Sequence, residues 1–280
     1  MKILATGGAG QLGFDVLQAA NAQSIDCLGV DIADFDITNE TETMTFIKNF
    51  APTCVIHSAA YTAVDKAEDE QDLCHKINVI GTKNIALACK EVGAKLIYIS
   101  TDYVFDGDGE IAFKVDDIAS PVNYYGLTKY EGEQAVSEIL TNYFIARISW
   151  VYGVNGNNFV KTMLNLAKNR DELSIVGDQI GSPTYTRHLA PVLLEIAKSK
   201  NYGTYHVTGE GFCSWADFAK EIFKIAKLDT KVNPIPSSDF PTKAKRPLNS
   251  RLDKSALAKN GFSKMPDWQE SLKYFIENEL

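Results

Sequence analysis

Tyr125 and Lys129 stand four residues apart in the string YGLTK, a spacing that could serve acid–base chemistry. Asn123 precedes the string and helix-forming residues follow it, which predicts that a helix begins here. Residues four apart share one face of a helix, so the hydroxyl and the ammonium would face the same space. We expect the ammonium to favour the phenolate and to bring the pKa of Tyr125 down from about 10. Such a string also arises by chance on helix surfaces, so the upstream segments must decide its meaning.

A glycine-rich turn follows the first apolar run of the chain. Gly7, Gly10 and Gly13 are spaced G-x-x-G-x-x-G between the strand predicted for 2–6 and a helix that continues through Ala20. At such a turn the backbone can approach a pyrophosphate closely, and the helix N-terminus offers free amides. The position of the turn predicts dinucleotide binding; the alternative is a glycine-rich turn without a ligand.

Asp31 ends the second apolar run, 25–30, eighteen residues after Gly13. An acid at this place typically accepts hydrogen bonds from the adenosine ribose and repels a 2′-phosphate. No arginine lies nearby in the sequence to receive that phosphate, which favours NADH or the use of both NADH and NADPH. The alternative is a solvated turn residue.

Two further strand ends deliver small or polar residues to the same edge of the predicted sheet. The strand predicted for 54–58 leads to Ala59 and Ala60, whose small side chains let a flat cofactor lie against the backbone. The strand predicted for 95–99 leads to Thr101. Ligands of open α/β sheets bind at this edge, so Thr101 is expected to donate a hydrogen bond to a substrate carbonyl beside Tyr125. A buried threonine that closes a strand is the alternative.

These elements predict an α/β fold, a Rossmann-type doubly wound parallel sheet with a smaller C-terminal substrate-binding lobe. We expect residues 1–150 and about 187–207 to form the dinucleotide-binding domain. The substrate-binding lobe would comprise about 151–186 and 208–280. A basic cluster between Lys243 and Arg251 is either solvated surface or a site for a substrate diphosphate.

Composition excludes several other classes of protein. The chain of 280 residues carries a net charge of −8 without a basic run, which argues against a nucleic-acid partner. No apolar stretch approaches the roughly 18 residues of a membrane span, and no signal peptide is visible. The five cysteines lack C-x-x-C spacing and the four histidines lack metal-ligand spacing, so we expect a cytoplasmic protein without a bound metal.

Longer strings resemble one family in particular. AAYTAVDK at 59–66, STDYVFDG at 100–107, YGLTKYEGE at 125–133 and RPLNSRLD at 246–253 are similar to strings of the dTDP-4-dehydrorhamnose reductases. These enzymes are members of the extended short-chain dehydrogenase/reductase superfamily. The strings RISWVY, NFVKTML and DQIGSPTY extend the resemblance over essentially the full chain. It implies NAD(P)H-dependent reduction of the C4 ketone of dTDP-4-dehydro-L-rhamnose to dTDP-L-rhamnose, with a nucleotide sugar as the substrate.

The resemblance also implies the roles of individual residues. Tyr125 would donate the proton to the new C4 hydroxyl, Lys129 would hold the nicotinamide ribose and tune Tyr125, and Thr101 would support the carbonyl. The residues implied in cofactor binding, besides Tyr125 and Lys129, are Gly7, Gly10, Gln11, Leu12, Gly13, Asp31, Asp36, Ile37, Ala59, Ala60, Tyr61, Thr62 and Ile99. The residues implied in substrate binding are Thr101, Asp102, Trp150, Arg246, Asn249 and Arg251.

One departure from the family and two rival functions bear on these expectations. Where metal-linked dimers of the family carry acids, this chain has Asp15 and Arg187, and an arginine cannot ligate a cation. A Mg²⁺-bridged dimer is therefore not expected, and the chain would be a monomer or a weak dimer. A non-catalytic binding protein on the same fold would be expected to lose Thr101, Tyr125 and Lys129. A sugar-nucleotide epimerase would retain a bound oxidised cofactor.

Overall fold

Six parallel strands form the main sheet of the structure, a computed structural model that describes residues 1–280. The strand order is β10-β5-β4-β3-β1-β2. Because the order reverses at β1, this is the doubly wound topology that the sequence predicts. The strands are β1 (Lys2–Thr6), β2 (Asp26–Val30), β3 (Cys54–His57), β4 (Lys95–Thr101), β5 (Tyr143–Ile148) and β10 (Gly203–His206).

Two hydrophobic cores cover the two faces of this sheet. Successive side chains of a strand point to opposite faces, and Ile3 and Leu4 of β1 accordingly enter different cores. The helices of the chain are α1 (Gln11–Ala22), α2 (Glu40–Phe50), α3 (Val64–Ala67), α4 (Gln71–His75), α5 (Thr82–Val92), α6 (Tyr124–Ile139), α7 (Phe159–Ala167), α8 (Thr186–Lys198), α9 (Trp215–Ile225), α10 (Ser255–Lys259) and α11 (Trp268–Glu279). Helices α1 and α8 pack on one face of the sheet, and α2, α5 and α6 on the other.

A third core surrounds three small sheets built from the later part of the chain. Their strands are β6 (Val151–Tyr152), β7 (Glu172–Val176), β8 (Ile180–Gly181), β9 (Thr184–Tyr185), β11 (Cys213–Ser214), β12 (Lys231–Ile235) and β13 (Asn249–Ser250). Strand β8 lies between β11 and β13, while β7 pairs with β12 and β6 with β9. The predicted division of the chain into two domains stays a prediction. None of the helices combines the length and the hydrophobicity that a membrane crossing requires.

A turn of π-helix, Lys76–Gly81, connects α4 directly to α5. Turns of π-helix are rare and occur frequently at functional sites. This turn carries Asn78, which is buried and bonded to residues outside its own helix. Periodicity cannot reveal such a turn, because one extra residue barely disturbs the hydrophobic pattern on either side.

Candidate functional site

A cleft of about 720 Å³ runs along the carboxyl ends of the sheet strands. Gly7, Gly10 and Gly13 line one part of it, and Thr101 and Tyr125 line another. The predicted residues that line the cleft are Gly7, Gly10, Gln11, Leu12, Gly13, Asp31, Asp36, Ile37, Ala59, Ala60, Thr62, Ile99, Thr101, Asp102, Tyr125, Lys129 and Trp150. The structure therefore brings most of the sequence-predicted site together in one space.

The glycine turn is built so that only glycine fits at its crossing point. A Cβ atom on Gly13 would lie 2.0 Å from the carbonyl oxygen of Gly7, and Gly7 itself has a φ of +71°. Gly10 precedes α1 without a side-chain cap, and the N–H groups of Gln11 and Leu12 donate no hydrogen bond within the protein. Free amides at a helix N-terminus attract a phosphate. The turn fits a dinucleotide pyrophosphate.

Asp31 connects the second strand to the glycine turn. Its Oδ2 accepts a hydrogen bond of 2.7 Å from the N–H of Ala9, and its own N–H donates to Asp34. The other carboxylate oxygen stays available for a ligand. Lys129 is the one basic residue that lines the cleft, so the lining itself offers no cation beside Asp31 for a 2′-phosphate.

The π-turn fixes the middle of the cleft. Asn78 accepts a hydrogen bond of 2.8 Å from the N–H of Tyr61 and donates one of 3.2 Å to the Tyr61 carbonyl. It also donates to Thr128 Oγ1, in the helix that carries Tyr125, at 3.0 Å. Asn78 thus couples the backbone of residues 59–62 to α6. The Tyr61 side chain turns out of the cleft and donates to Glu70.

Thr101 and Asp102 lie beside Tyr125 at the end of β4. The Thr101 hydroxyl donates to Asp102 Oδ1 at 3.0 Å, while Asp102 Oδ2 is buried without a hydrogen-bond partner. Burial raises the pKa of Asp102 to about 6. Burial, reinforced by the charge of Asp102, raises the pKa of Tyr125, and the hydrogen bond with Thr101 opposes this only in part. The expected fall in the pKa of Tyr125 is therefore not found.

Lys129 follows Tyr125 by one turn of α6 and is almost fully buried, 3% exposed. Its ammonium lies 4.1 Å from the centroid of the Tyr98 ring. Burial lowers the pKa of Lys129 to about 7, against the opposing effect of Glu133. One turn further on, Glu133 makes a two-bond ion pair with Arg147 and accepts from Ser100. This pair ties α6 to β5.

The basic loop does not line the cleft in this structure. Arg246 pairs with Asp65 at 2.7 Å and donates to the Tyr103 hydroxyl at 3.2 Å, while Lys243 pairs with Asp69. Arg251 donates to Asn249, which is itself buried and bonded to the carbonyl of Ile111. Arg246, Asn249 and Arg251, all predicted to bind substrate, thus lie outside the cleft lining.

Three aromatic residues that line the cleft were missed by the sequence analysis: Phe35, Tyr103 and Trp215. Tyr103 lines the cleft and meets the Tyr125 ring edge-on at 5.9 Å. Trp215 lines it as well and stacks on Trp150. No local signal marks Trp215, whereas Tyr103 stands inside the string STDYVFDG.

The comparisons with known proteins agree with each other. The family described as "RmlD substrate binding domain" matches residues 1–280. A curated relative from Aggregatibacter actinomycetemcomitans, named dTDP-4-dehydrorhamnose reductase, is 41% identical over 285 residues, which is 97% of each chain.

Solved structures give the same result. A dTDP-4-dehydrorhamnose reductase from Clostridium acetobutylicum is 46% identical, covers 99% of both chains and superposes with a TM-score of 0.97. A dTDP-4-dehydrorhamnose reductase from Bacillus anthracis, in complex with NADP, is also 46% identical, with a TM-score of 0.96 over 99% of this chain and 100% of the other.

Proposed function

Because this chain belongs to the RmlD substrate binding domain family, we propose that it is a dTDP-4-dehydrorhamnose reductase, as its relatives are named. The proposed reaction reduces the C4 ketone of dTDP-4-dehydro-L-rhamnose to the hydroxyl of dTDP-L-rhamnose at the expense of NADH or NADPH. One observation carries the proposal: Thr101, Tyr125 and Lys129 line the same cleft as the glycine turn.

The nicotinamide, when bound, supplies the hydride that reduces C4. Tyr125 donates the proton to the developing alkoxide. A raised pKa suits this direction of reaction, because the hydroxyl keeps its proton at neutral pH until a stronger base forms on the substrate. For this step the Thr101 hydroxyl must turn from Asp102, to which it donates in the structure, and donate to the same oxygen, where it stabilises the developing charge. The Lys129 ammonium, buried one helical turn away, favours the tyrosinate that remains after proton transfer.

The cofactor would be held by the residues that line the cleft. The amides after Gly10 suit the pyrophosphate, and Asp31 suits the adenosine ribose. Asp36 and Ile37 stand at the adenine end, Ala59 to Thr62 and Ile99 along the middle, and Lys129 at the nicotinamide ribose. Asp36 is fixed for this by hydrogen bonds from Thr38, which lower its pKa.

The sugar nucleotide would contact Asp102 and Trp150 in the cleft. Arg246, Asn249 and Arg251 stay predicted contacts of its diphosphate end. Arg246 forms an ion pair with Asp65 in the structure, so it would have to release Asp65 before binding the diphosphate. The monomeric or weakly dimeric state, the lack of a Mg²⁺ bridge and the cytoplasmic location also stay predictions.

For the coenzyme we propose NADH or dual use. Asp31 stands where a 2′-phosphate would approach, and no arginine lines the cleft. The relative from Bacillus anthracis was solved with NADP, so dual use is the alternative that its complex favours. Comparing kcat/KM for the two coenzymes decides between them, and Asp31→Ala is expected to improve the use of NADPH by removing the repelling charge.

The test of function is the loss of reduced-nicotinamide absorbance on addition of dTDP-4-dehydro-L-rhamnose. Substrate-dependent oxidation with either coenzyme supports the proposal. Folded protein that binds dinucleotide and oxidises neither coenzyme would refute it. Purified protein that carries tightly bound NAD⁺ and interconverts nucleotide sugars without net oxidation would indicate an epimerase instead.

A further inference from the structure

Trp150 and Trp215 form a parallel stack in the wall of the cleft. Their ring centroids are 3.6 Å apart and the ring planes differ by 11°. Trp150 lies two residues after the end of β5 in the main sheet, and Trp215 is the first residue of α9. Both side chains pack against the third core. The stack therefore joins the segment after β5 to the start of α9 at the cleft.

The backbone of Trp150 is held in a conformation that bulky residues rarely adopt. Its φ is +49°, in the left-handed region. Such a conformation persists only where the surroundings impose it, and it is concentrated at functional sites. The carbonyl of Trp150 accepts a hydrogen bond of 3.1 Å from the N–H of Thr184, which fixes one side of the residue.

Gly181 and Trp215 fix the indole ring. A Cβ atom on Gly181 would lie 2.7–2.9 Å from three atoms of the Trp150 indole, so the ring packs directly on the backbone of β8. Strand β11 pairs with β8, and Ser214 at its end caps α9 by accepting from the N–H of Asp217. Trp215 follows immediately and is backed by Phe159, with ring centroids 4.6 Å apart.

We infer that Trp215 is a positioning residue that holds Trp150 at the sugar-nucleotide end of the cleft. Both indoles line the cleft together with Tyr125. Without the second indole, Trp150 loses the partner that opposes relaxation of its backbone, and the wall that orients the substrate loosens. The inference rests on the proposed function, since it assigns Trp150 to the substrate and not to the dinucleotide.

The test compares Trp215→Ala with Trp215→Phe, which keeps an aromatic ring in the stack. Trp215→Ala is expected to raise KM for the nucleotide sugar by roughly 10-fold, because the aromatic pair that holds a substrate contact is lost, and to change kcat less. The dissociation constant of the coenzyme should stay unchanged. Trp215→Phe should recover most of the KM. A wild-type KM in Trp215→Ala, or an equal loss of coenzyme affinity, would overturn the inference.

Circular dichroism tests the stack without any substrate. Two indoles this close should give an exciton couplet, which Trp150→Phe and Trp215→Phe should each abolish. The third tryptophan, Trp268, packs edge-on against Phe218, so Trp268→Phe is the control and should keep the couplet. A couplet that survives in Trp215→Phe would refute the stacked arrangement. Lack of turnover by the wild-type protein would instead count against the proposed function.

Discussion

The ammonium of Lys129 lies over the face of the Tyr98 ring, 4.1 Å from its centroid. A cation in a buried place is costly, and the negative face of an aromatic ring offsets part of that cost. The hydroxyl of Tyr98 also donates to the Lys129 carbonyl at 3.2 Å, so one side chain holds both ends of the lysine. The protein thus maintains a charge where burial disfavours it.

Replacing Lys129 should lower the activity and raise the stability of the protein. The pKa of Lys129 falls from 10.5 to about 7 on folding, so between these values the unfolded chain binds more protons. The lysine therefore costs stability below about pH 7, and this cost disappears as the pH rises toward 10.5. Lys129→Met is expected to lose at least about tenfold in turnover yet to unfold at a higher urea concentration at pH 7.

The comparison of urea unfolding at neutral and alkaline pH checks this prediction. The advantage of the Met variant over the wild type should shrink as the pH rises. Lys83→Met, at an exposed lysine of α5, is the control and should show no such trend. An advantage that does not depend on pH would show that better packing, and not the buried charge, explains the difference.

Tyr125→Phe should separate binding from proton transfer. The ring and its edge-on contact with Tyr103 are kept, so coenzyme affinity should be unchanged. Loss of the proton donor should lower kcat by roughly 10²- to 10⁴-fold. Tyr124→Phe, next to it but outside the cleft lining, is the matched control. Near-native turnover in Tyr125→Phe would remove Tyr125 from the acid role.

Asp102→Asn should change how stability depends on pH. Burial raises the pKa of Asp102 from 3.8 to about 6, so its contribution to stability is greatest below 3.8 and is lost as the pH rises through 6. The free energy of unfolding of the Asn variant, relative to that of the wild type, should therefore increase between about pH 5 and about pH 8. Unfolding at both pH values measures the gain, with exposed Asp108→Asn as the control. A constant difference would contradict the assigned pKa.

Glu133→Gln should destabilise the fold through Arg147. The guanidinium makes bonds of 2.9 and 2.7 Å to Glu133 and is almost fully buried, so the variant leaves a buried charge uncompensated. We expect a loss of about 3–5 kcal/mol in the free energy of unfolding. The double variant Glu133→Leu/Arg147→Met should recover much of it. Equal losses in the single and the double variant would show that shape, and not charge, decides.

Asp65→Asn should strengthen substrate binding if Arg246 holds the diphosphate. The ion pair of Arg246 with Asp65 must open before the guanidinium can meet a phosphate. The variant should lower KM for the nucleotide sugar without changing coenzyme affinity. Asp69→Asn, which breaks only the exposed pair with Lys243, is the control. A higher KM would mean that the pair positions Arg246 instead of competing for it.

The sequence predicted what depends on local patterns. The strand Lys2–Thr6 and the helix beginning beside Asn123 follow from the apolar pattern and from capping, and the structure confirms them. The meeting of the glycine turn, Thr101 and Tyr125 in one cleft follows from the rule that parallel strands deliver their ends to one edge.

What the sequence could not predict depends on distant partners. The pKa of Tyr125 is set by how deeply a folded chain buries it, and helix spacing carries no information on depth. The acids that pair with Lys243 and Arg246 lie about 180 residues earlier in the chain, so local sequence does not show that these two side chains form ion pairs. Trp215 became a cleft residue only because the pairing of β11 with β8 carries it to Trp150.

The pairing of β8 with strands later in the sequence has a consequence for folding during synthesis. Both neighbours of β8, which are β11 and β13, are synthesised after it. The partner of β7, β12, is also synthesised later. A nascent chain that has emerged only through α8 therefore presents unpaired strand edges, which are prone to aggregate. We expect the ribosome-bound protein to hold its first five strands as a partly folded intermediate, and its folding to be completed only near release.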